Sequence, residues 1–398
     1  MLHLENPIQN YAWGSHSAIS TLLGAGAPSA KPEAELWLGA HPQAPSLVLP
    51  SREPLCALIE RAPERTLGAR NQARFGPRLP FLLKVLAAET PLSLQAHPTL
   101  EQARAGFDAE QARGVPLDAP ERNYKDRNHK PELLCALTPF SALCGFRRIE
   151  ESCELLGALK LRQLGALLDV LAKGPSDVAL SQVVATLLSL PLQQRRELAR
   201  AVLDRCTELA PIEGRFQHEY SWAVRLGVLY PGDIGIVNAL LLNLIHLSPG
   251  EAIYLPAGNL HAYLHGVGIE LMANSDNVLR GGLTPKHVDP TELLRVLKFQ
   301  AGPVTVLTGD PSAFGKVYRT EAAEFELEQV TLSAAHELRF SDRRGPEILL
   351  CQDGELEVHC NGAALALARG QAVFVAAEEP EYGVRGEGVL FRASVGRF

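Results

Sequence analysis

Four side chains of metal-binding type are spread widely along the chain. They are Gln95 and His97 in "LSLQAHPTL", Glu132 in "NHKPELLCAL" and His261 at the end of "GEAIYLPAGNLH". Imidazole and carboxylate donors suit Zn²⁺, Fe²⁺ or Mn²⁺, and the amide oxygen of Gln is a harder, weaker donor. Because such a set carries one formal negative charge, a divalent ion held by it would keep positive charge and could polarise a substrate oxygen.

The stretch Leu92–Leu100 alternates apolar and polar residues, which predicts a β-strand with two different faces. The preceding run, Leu79–Glu89, is among the more apolar runs of the chain. We therefore expect the polar face to line a cavity rather than to meet water. Gln95 and His97 would then point the same way, with their Cα atoms about 6.5–7 Å apart.

The segment Gly250–His261 has the pattern G-x5-P-x-G-x2-H, which predicts a strand, a tight turn and an inward-pointing His. The segment Gly370–Glu381 repeats the spacing but lacks the Pro, the second Gly and the His. We interpret the two segments as related barrel hairpins, of which the second is degenerate. A metal ion is therefore expected in the first hairpin and not in the second.

Three regions follow one another along the chain. Residues 1–148 mix short extended runs with Pro and Gly, the pattern then becomes helical, and after Tyr230 short strands are joined by Gly and Pro turns. Asp353-Gly354 and Asn361-Gly362 each predict a hairpin turn. The helical region places four leucines on one helix face: Leu164, Leu167, Leu168 and Leu171. The predicted architecture is mainly β with a helical insertion.

The composition argues against several classes of protein. The 398 residues are 46% hydrophobic and 21% charged, with a net charge of −7, so no strongly basic face for nucleic acid is indicated. The most apolar run, Ile236–Leu247, is too short to cross a bilayer, and the N-terminal residues show no secretory signal pattern. Seven cysteines without a C-x-x-C pair indicate free thiols in a reducing cytoplasm and argue against a zinc–thiolate site.

The Gly250–His261 turn resembles the second motif of the cupin superfamily, whose inward His binds metal. Five segments, in order along the chain, are similar to those of one cupin family, the zinc-dependent type I mannose-6-phosphate isomerases. They are QNYAWGS (9–15), AELWLGAHP (34–42), LSLQAHP (92–98), HKPELLCALTPF (129–140) and GIELMANSDNVLRGGLTPKHVD (268–289). The resemblance covers nearly the whole chain.

This resemblance implies a fold with three parts. Residues 1–148 and 231–298 would form a catalytic cupin-type β-barrel or jelly roll. Residues 149–230 would form an α-helical insertion domain, and residues 299–398 a second, degenerate cupin-like β-barrel.

The resemblance also assigns the residues of the site. One zinc ion per chain would be bound by Gln95, His97, Glu132 and His261. The candidate catalytic residues are Arg280, Lys130, Glu270, Asp276 and His129. The candidates that bind the substrate or its phosphate are Lys84, Tyr263, Trp13 and Lys286.

The implied reaction interconverts mannose 6-phosphate and fructose 6-phosphate by moving a proton between C2 and C1 through a cis-enediolate. Such a reaction needs a base near C1 and C2 and positive charge at O1 and O2. Zinc and Arg280 would supply the charge, because a guanidinium does not give up its proton near neutral pH. The base stays open among Glu270, Asp276, His129 and Lys130.

Two other functions stay open from the residues alone. A site of two His and one carboxylate can bind Fe²⁺ and activate O₂, although the Gln donor would fill a position that O₂ chemistry needs. The other is a sugar-phosphate-binding cupin without catalysis. We expect a cytoplasmic monomer that takes a small sugar phosphate and has no nucleic-acid or membrane partner.

Overall fold

The computed structural model describes residues 1–397 and shows a mainly β protein with a helical insertion, which confirms the predicted fold class. Over these residues, eleven strands form one antiparallel sheet and ten form another, and the ladders leave both sheets open. The strands are β1 (Leu2–Glu5), β2 (Ile8–Gln9), β3 (Glu35–Leu38), β4 (Leu47–Val48), β5 (Glu53–Pro54), β6 (Phe81–Ala88), β7 (Leu94–Ala96), β8 (Glu132–Ala136), β9 (Phe140–Phe146), β10 (Leu242–Leu247), β11 (Ala252–Leu255), β12 (His261–Ala273), β13 (Leu279–Gly282), β14 (Asp310–Ser312), β15 (Gly315–Tyr318), β16 (Glu326–Leu332), β17 (Glu337–Phe340), β18 (Glu347–Cys360), β19 (Ala363–Ala368), β20 (Ala372–Val375) and β21 (Tyr382–Ser394).

The helices lie mostly in the middle of the chain. They are α1 (Ala18–Leu22), α2 (Leu55–Arg61), α3 (Pro63–Leu67), α4 (Ala69–Phe75), α5 (Leu100–Ala112), α6 (Ile149–Ala158), α7 (Gly165–Lys173), α8 (Ser176–Ser189), α9 (Leu192–Leu209), α10 (Gln217–Leu229), α11 (Gly235–Leu240) and α12 (Pro290–Val296), with a 3₁₀ turn at Arg162–Leu164. The predicted leucine face is confirmed, because Leu164, Leu167 and Leu171 are buried. Among residues 1–397, no helix is both long and apolar enough to span a membrane.

Strand β12 organises the ten-stranded sheet. Its first residues pair with β7 and β9, and the rest pair with β6 and β8. The change of neighbours falls at Gly266, whose φ is 127°. A Cβ there would lie 2.6 Å from the Phe140 ring, so the close approach of β12 to the start of β9 requires glycine.

Both faces of β6 are buried, which explains why this strand is so apolar. Leu83 and Val85 pack in one core with Phe374 of the eleven-stranded sheet. The alternate residues, including Lys84, point to the opposite face because side chains alternate along a strand. The second face holds the polar cavity described below.

The eleven-stranded sheet draws on both ends of the chain. Strand β1 pairs with β20, with Leu2 opposite Phe374, and β4 and β5 extend the sheet beyond β1. Strand β1 was predicted to belong to the catalytic domain, but it pairs with a strand of residues 299–398, which were predicted to form a separate domain.

Two local predictions were wrong. The stretch Leu92–Leu100 forms a strand only at Leu94–Ala96, because Pro98 lacks an N–H and Thr99 caps α5 through a reciprocal capping box with Gln102. Asp353-Gly354 is not a hairpin turn. It lies inside β18, where the register with β21 shifts between Cys351 and Asp353, and Gly354, with a φ of 89°, lies opposite Gly388. The turn at Asn361-Gly362 is confirmed between β18 and β19.

The two repeated segments have the same topology, although neither is a paired hairpin. Over the described residues, β11 and β12 both pair with β8, which lies between them, and β20 and β21 both pair with β18. The registers also correspond. Leu255 lies opposite Glu132 in the first unit, and Val375 lies opposite Glu347 in the second.

Glu347 therefore occupies in the second unit the position that the metal-ligand candidate Glu132 occupies in the first. Its carboxylate is fully buried and accepts two hydrogen bonds from the Arg392 guanidinium, at 2.7 and 2.8 Å. Arg343 lies 3.3 Å away and the Tyr382 hydroxyl donates at 2.6 Å. The second unit thus neutralises its buried carboxylate with its own arginines.

We predict that Glu347→Gln destabilises the fold by about 3–5 kcal/mol, because it removes the buried charge that both the Arg392 and the Arg343 guanidinium groups contact. Denaturant unfolding of the two proteins measures this difference. The matched control is Glu5→Gln, which breaks an exposed ion pair with Arg52 and should cost about 0–1 kcal/mol. Equal losses in the two variants would contradict the prediction.

The contribution of Glu347 to the stability of the fold should depend on pH. Burial alone would raise the pKa of Glu347, but Arg392 and Arg343 outweigh it and hold that pKa below the ordinary value of 4.5. The stabilisation is then complete above about pH 4.5 and is lost as pH falls through the lowered pKa. Unfolding curves measured at successively lower pH should therefore converge for the native protein and Glu347→Gln.

Candidate metal centre

Three of the predicted metal ligands meet at one buried point. One donor atom each from His97, Glu132 and His261 lies within 4.8 Å of the others. The Nε2 atoms of His97 and His261 lie 3.3 and 3.4 Å from the two carboxylate oxygens of Glu132. Each side chain is at most 2% exposed.

Strand pairing brings the fourth predicted ligand to the same face. Gln95 lies opposite His261 of β12 on one side and opposite Arg280 of β13 on the other. Residues directly opposite each other in an antiparallel pair project to the same side of the sheet. The amide of Gln95 and the guanidinium of Arg280 accordingly line the same cavity.

The orientation of both imidazoles suits a metal. The Nδ1 of His97 is 2.7 Å from the carbonyl oxygen of Asn277, and the Nδ1 of His261 is 3.0 Å from that of Asn259. Because a carbonyl only accepts, each Nδ1 carries the proton and each Nε2 keeps its lone pair. Both Nε2 atoms are buried and have no hydrogen-bond partner among residues 1–397. Buried acceptors of this kind fit a bound cation.

The charge states fit as well. Burial lowers the pKa of His97 to about 4, against the opposing effect of Glu132, so the imidazole is neutral at pH 7. Burial would raise the pKa of Glu132, but Lys130 and His97 hold it well below the ordinary value. Lys130 lies 2.8 Å from Glu132. A neutral imidazole and an ionised carboxylate are the forms that bind a divalent metal, and together with Gln95 the residues present make a donor set suited to zinc.

The centre opens into a cavity of about 500 Å³. Ten predicted site residues line it: Trp13, Lys84, Gln95, Lys130, Glu132, Tyr263, Glu270, Asp276, Arg280 and Lys286. His97 and His261 contact Glu132, which lines the cavity. His129 is not brought there, because it precedes Lys130 and its Nε2 lies 2.7 Å from Glu324 instead.

A second group of charges lies on the wall formed by β3, β6 and β12. Trp37, Lys84 and Glu270 are cross-strand neighbours in that order. Lys84 Nζ lies 2.9 Å from Glu270 and 3.3 Å from Glu35. Burial opposes the charge on Lys84, yet the two carboxylates raise its pKa, whereas burial raises the pKa of Glu270 itself. The indole of Trp37 donates to Glu35 at 2.7 Å.

Four residues at or beside the cavity were not predicted from the sequence: Glu35, Trp37, His41 and Gln43. His41 and Gln43 contact the carboxylate of Asp276 at 3.2 and 3.0 Å, and His41 helps to lower its pKa against the effect of burial. All four lie in or beside AELWLGAHP. The signal that could have found Glu35 and Trp37 is their spacing of two, which puts both on the same face of a strand.

Positive charge collects at another part of the cavity. Burial lowers the pKa of Arg280, and burial together with Arg280 lowers the pKa of Lys286. Neither side chain forms a salt bridge within the part of the chain that the structure describes. Two neighbouring cations without an acidic partner form a site suited to an anion.

Comparison with known proteins gives the family. The type I phosphomannose isomerase catalytic domain matches residues 1–149. The mannose-6-phosphate isomerase of Escherichia coli strain K12 is 41% identical, over 98% of this chain and 99% of that protein. The chain belongs to the type I phosphomannose isomerase family. The mannose-6-phosphate isomerase of Rattus norvegicus is 34% identical over 94% of this chain and 92% of its own.

Solved structures of the family share the whole fold. A variant of the phosphomannose isomerase from Salmonella typhimurium superposes with a TM-score of 0.92, at 36% identity and with complete coverage of both chains. A zinc-bound holo form of mannose 6-phosphate isomerase superposes with a TM-score of 0.90, at 36% identity, over 100% of this chain and 99% of that one.

We predict that Glu132→Ala abolishes stoichiometric metal binding, because the change removes the only charged donor of the predicted set. Zinc affinity should fall by more than about 100-fold, since even partners that only orient ligands contribute 10–100-fold. Elemental analysis after dialysis measures the bound metal. The matched control is Glu324→Gln, which breaks a contact with His129 outside the cavity. A full equivalent of zinc in Glu132→Ala would remove Glu132 from the site.

Proposed function

We propose that this protein is a zinc-dependent isomerase that interconverts mannose 6-phosphate and fructose 6-phosphate. The observation that carries the proposal is the buried cluster of His97, Glu132 and His261 beneath a charged cavity. The 41% identity to the Escherichia coli enzyme over nearly the full chain supports the substrate and the reaction. Zinc is bound in two solved structures of the family, in one of them together with yttrium, and the donor set here suits zinc.

The proposed reaction moves a proton between C2 and C1 of the open-chain sugar through a cis-enediolate. Bound zinc would supply positive charge at the oxygens of these carbons. The Arg280 guanidinium shares the face of Gln95 and would stabilise the same developing negative charge. Lys130, which contacts Glu132, adds a second fixed cation there.

Glu270 is the best candidate for the base. It is buried, its raised pKa makes the carboxylate a stronger proton acceptor, and Lys84 remains beside it as a counter-ion. The pKa of Asp276 is lowered, which makes it a weaker base, and the Lys130 ammonium is engaged with Glu132. His129 contacts Glu324 rather than the cavity.

The phosphate of the substrate would bind at Arg280 and Lys286. Both are cavity-lining cations, and their mutual repulsion would be relieved by a dianion. Arg280 lies opposite Gln95, so it would stand between the metal end and the phosphate end of the sugar. We place the enzyme in the cytoplasm, to which the seven free thiols of the described chain are suited.

Turnover tests the function directly. Metal-replete protein should convert either sugar phosphate into the other in a coupled assay, and chelation should abolish turnover. Arg280→Ala should lower kcat by about 10²–10³-fold, as loss of one preorganised donor does. The control is Arg104→Ala, which changes an exposed arginine of α5. Absence of turnover on both sugars, or oxygen consumption by Fe²⁺-loaded protein, would reject the proposal.

A separate variant tests the phosphate site. Lys286→Ala should raise KM by about 10–100-fold, because a hydrogen bond to a charged group contributes about 1.5–3 kcal/mol. The kcat should change by only a few-fold, since the reacting carbons lie at the metal end. Initial rates over a range of substrate concentrations separate the two effects. An unchanged KM would place the phosphate elsewhere.

A further inference from the structure

One buried amide connects two of the metal-ligand segments. Asn277 lies between β12 and β13 and is fully buried. Its backbone carbonyl oxygen accepts the Nδ1–H of His97 at 2.7 Å, and this contact fixes the tautomer and the direction of the ring.

The side chain of Asn277 holds a different part of the chain. Its Oδ1 accepts from the backbone N–H groups of Lys125 and Asp126 at 2.7 and 3.2 Å. Its Nδ2 donates to the carbonyl oxygens of Asp126 and Asn128 at 2.9 and 2.8 Å. The amide thereby uses both of its donors and both lone pairs of its oxygen. Ser275 reinforces the same junction, with its hydroxyl 3.0 and 3.1 Å from the Asp126 carboxylate oxygens.

The segment that Asn277 holds leads directly into Lys130 and Glu132. One residue therefore aligns His97 through its backbone and Glu132 through the segment that precedes it. We propose that Asn277 is a positioning residue that sets the metal affinity of the centre by holding these two ligands in register. The inference rests on the metal site of the proposed function.

Asn277→Asp is the sharpest test because it keeps the shape and removes the donors. The new carboxylate oxygen would face the carbonyl oxygens of Asp126 and Asn128, and the two segments should separate. We expect the zinc dissociation constant, measured by competition with a chromophoric chelator, to rise by about 10–100-fold. At saturating zinc, kcat should stay within a few-fold of that of the native protein.

The matched control is Asn71→Asp. Asn71 is also buried, and its Nδ2 donates to the carbonyl oxygens of Leu67 and Arg344 at 2.9 and 2.8 Å, away from the metal centre. Both variants should lower the unfolding temperature of the zinc-free protein, but only Asn277→Asp should weaken zinc binding. Equal zinc affinity in the native protein and Asn277→Asp would overturn the inference, as would equal weakening in both variants.

A milder variant keeps the test decisive if Asn277→Asp does not fold. Ser275→Ala removes only the hydroxyl that contacts Asp126, so it should weaken zinc binding in the same direction and by a smaller factor. Unchanged zinc affinity in this variant would then count against the junction. Failure of the native protein to bind zinc would instead reject the proposed metal site, which distinguishes the two failures.

Discussion

The buried carboxylate of Glu132 is the constraint on which the site depends. A carboxylate with 1% exposure is costly unless positive charge or donors surround it, and here Lys130 and the two His residues are its neighbours. Both imidazoles have their Nδ1 protons engaged by backbone carbonyls, so they present lone pairs to the same point. Negative charge and two acceptors converging at a buried point favour a divalent cation.

The second unit shows what the same backbone position does without a metal. Glu347 has the register of Glu132, and Arg392 has the register of Glu270. Arg392 also pairs across the sheet with Glu328, as Glu270 pairs with Lys84, so the charges of this pair are exchanged between the units. The Arg392 guanidinium supplies in the second unit the positive charge that a metal ion would supply in the first. The buried carboxylate of Glu347 therefore contributes only to the fold.

Residue type was enough to choose the candidates of the metal centre, because His, Glu and Gln stand at or near the ends of apolar strands. Strand alternation was not enough, because β7 ends at Ala96 and His97 is aligned by its contact with Asn277 instead. His129 was misplaced because neighbouring residues point in different directions, and its partner Glu324 belongs to a distant part of the chain. Likewise, a Gly after Asp predicted a turn at Gly354, whereas long-range pairing with β21 keeps it inside β18, opposite Gly388.

The distribution of charge across the cavity explains how one substrate could be held in one direction. Lys84 is shared by Glu270 and Glu35, so that wall carries a net negative charge and leaves its lysine little capacity for another anion. Arg280 and Lys286 have no such acidic partners within residues 1–397, so an anionic group gains most there. A sugar phosphate entering in reverse would place its phosphate beside two carboxylates, which is unfavourable. In the proposed complex, the orientation would thus follow from the acidic partners that Lys84 has and that Arg280 and Lys286 lack in the described part of the chain, and the end of the sugar without the phosphate would face the metal-ligand candidates.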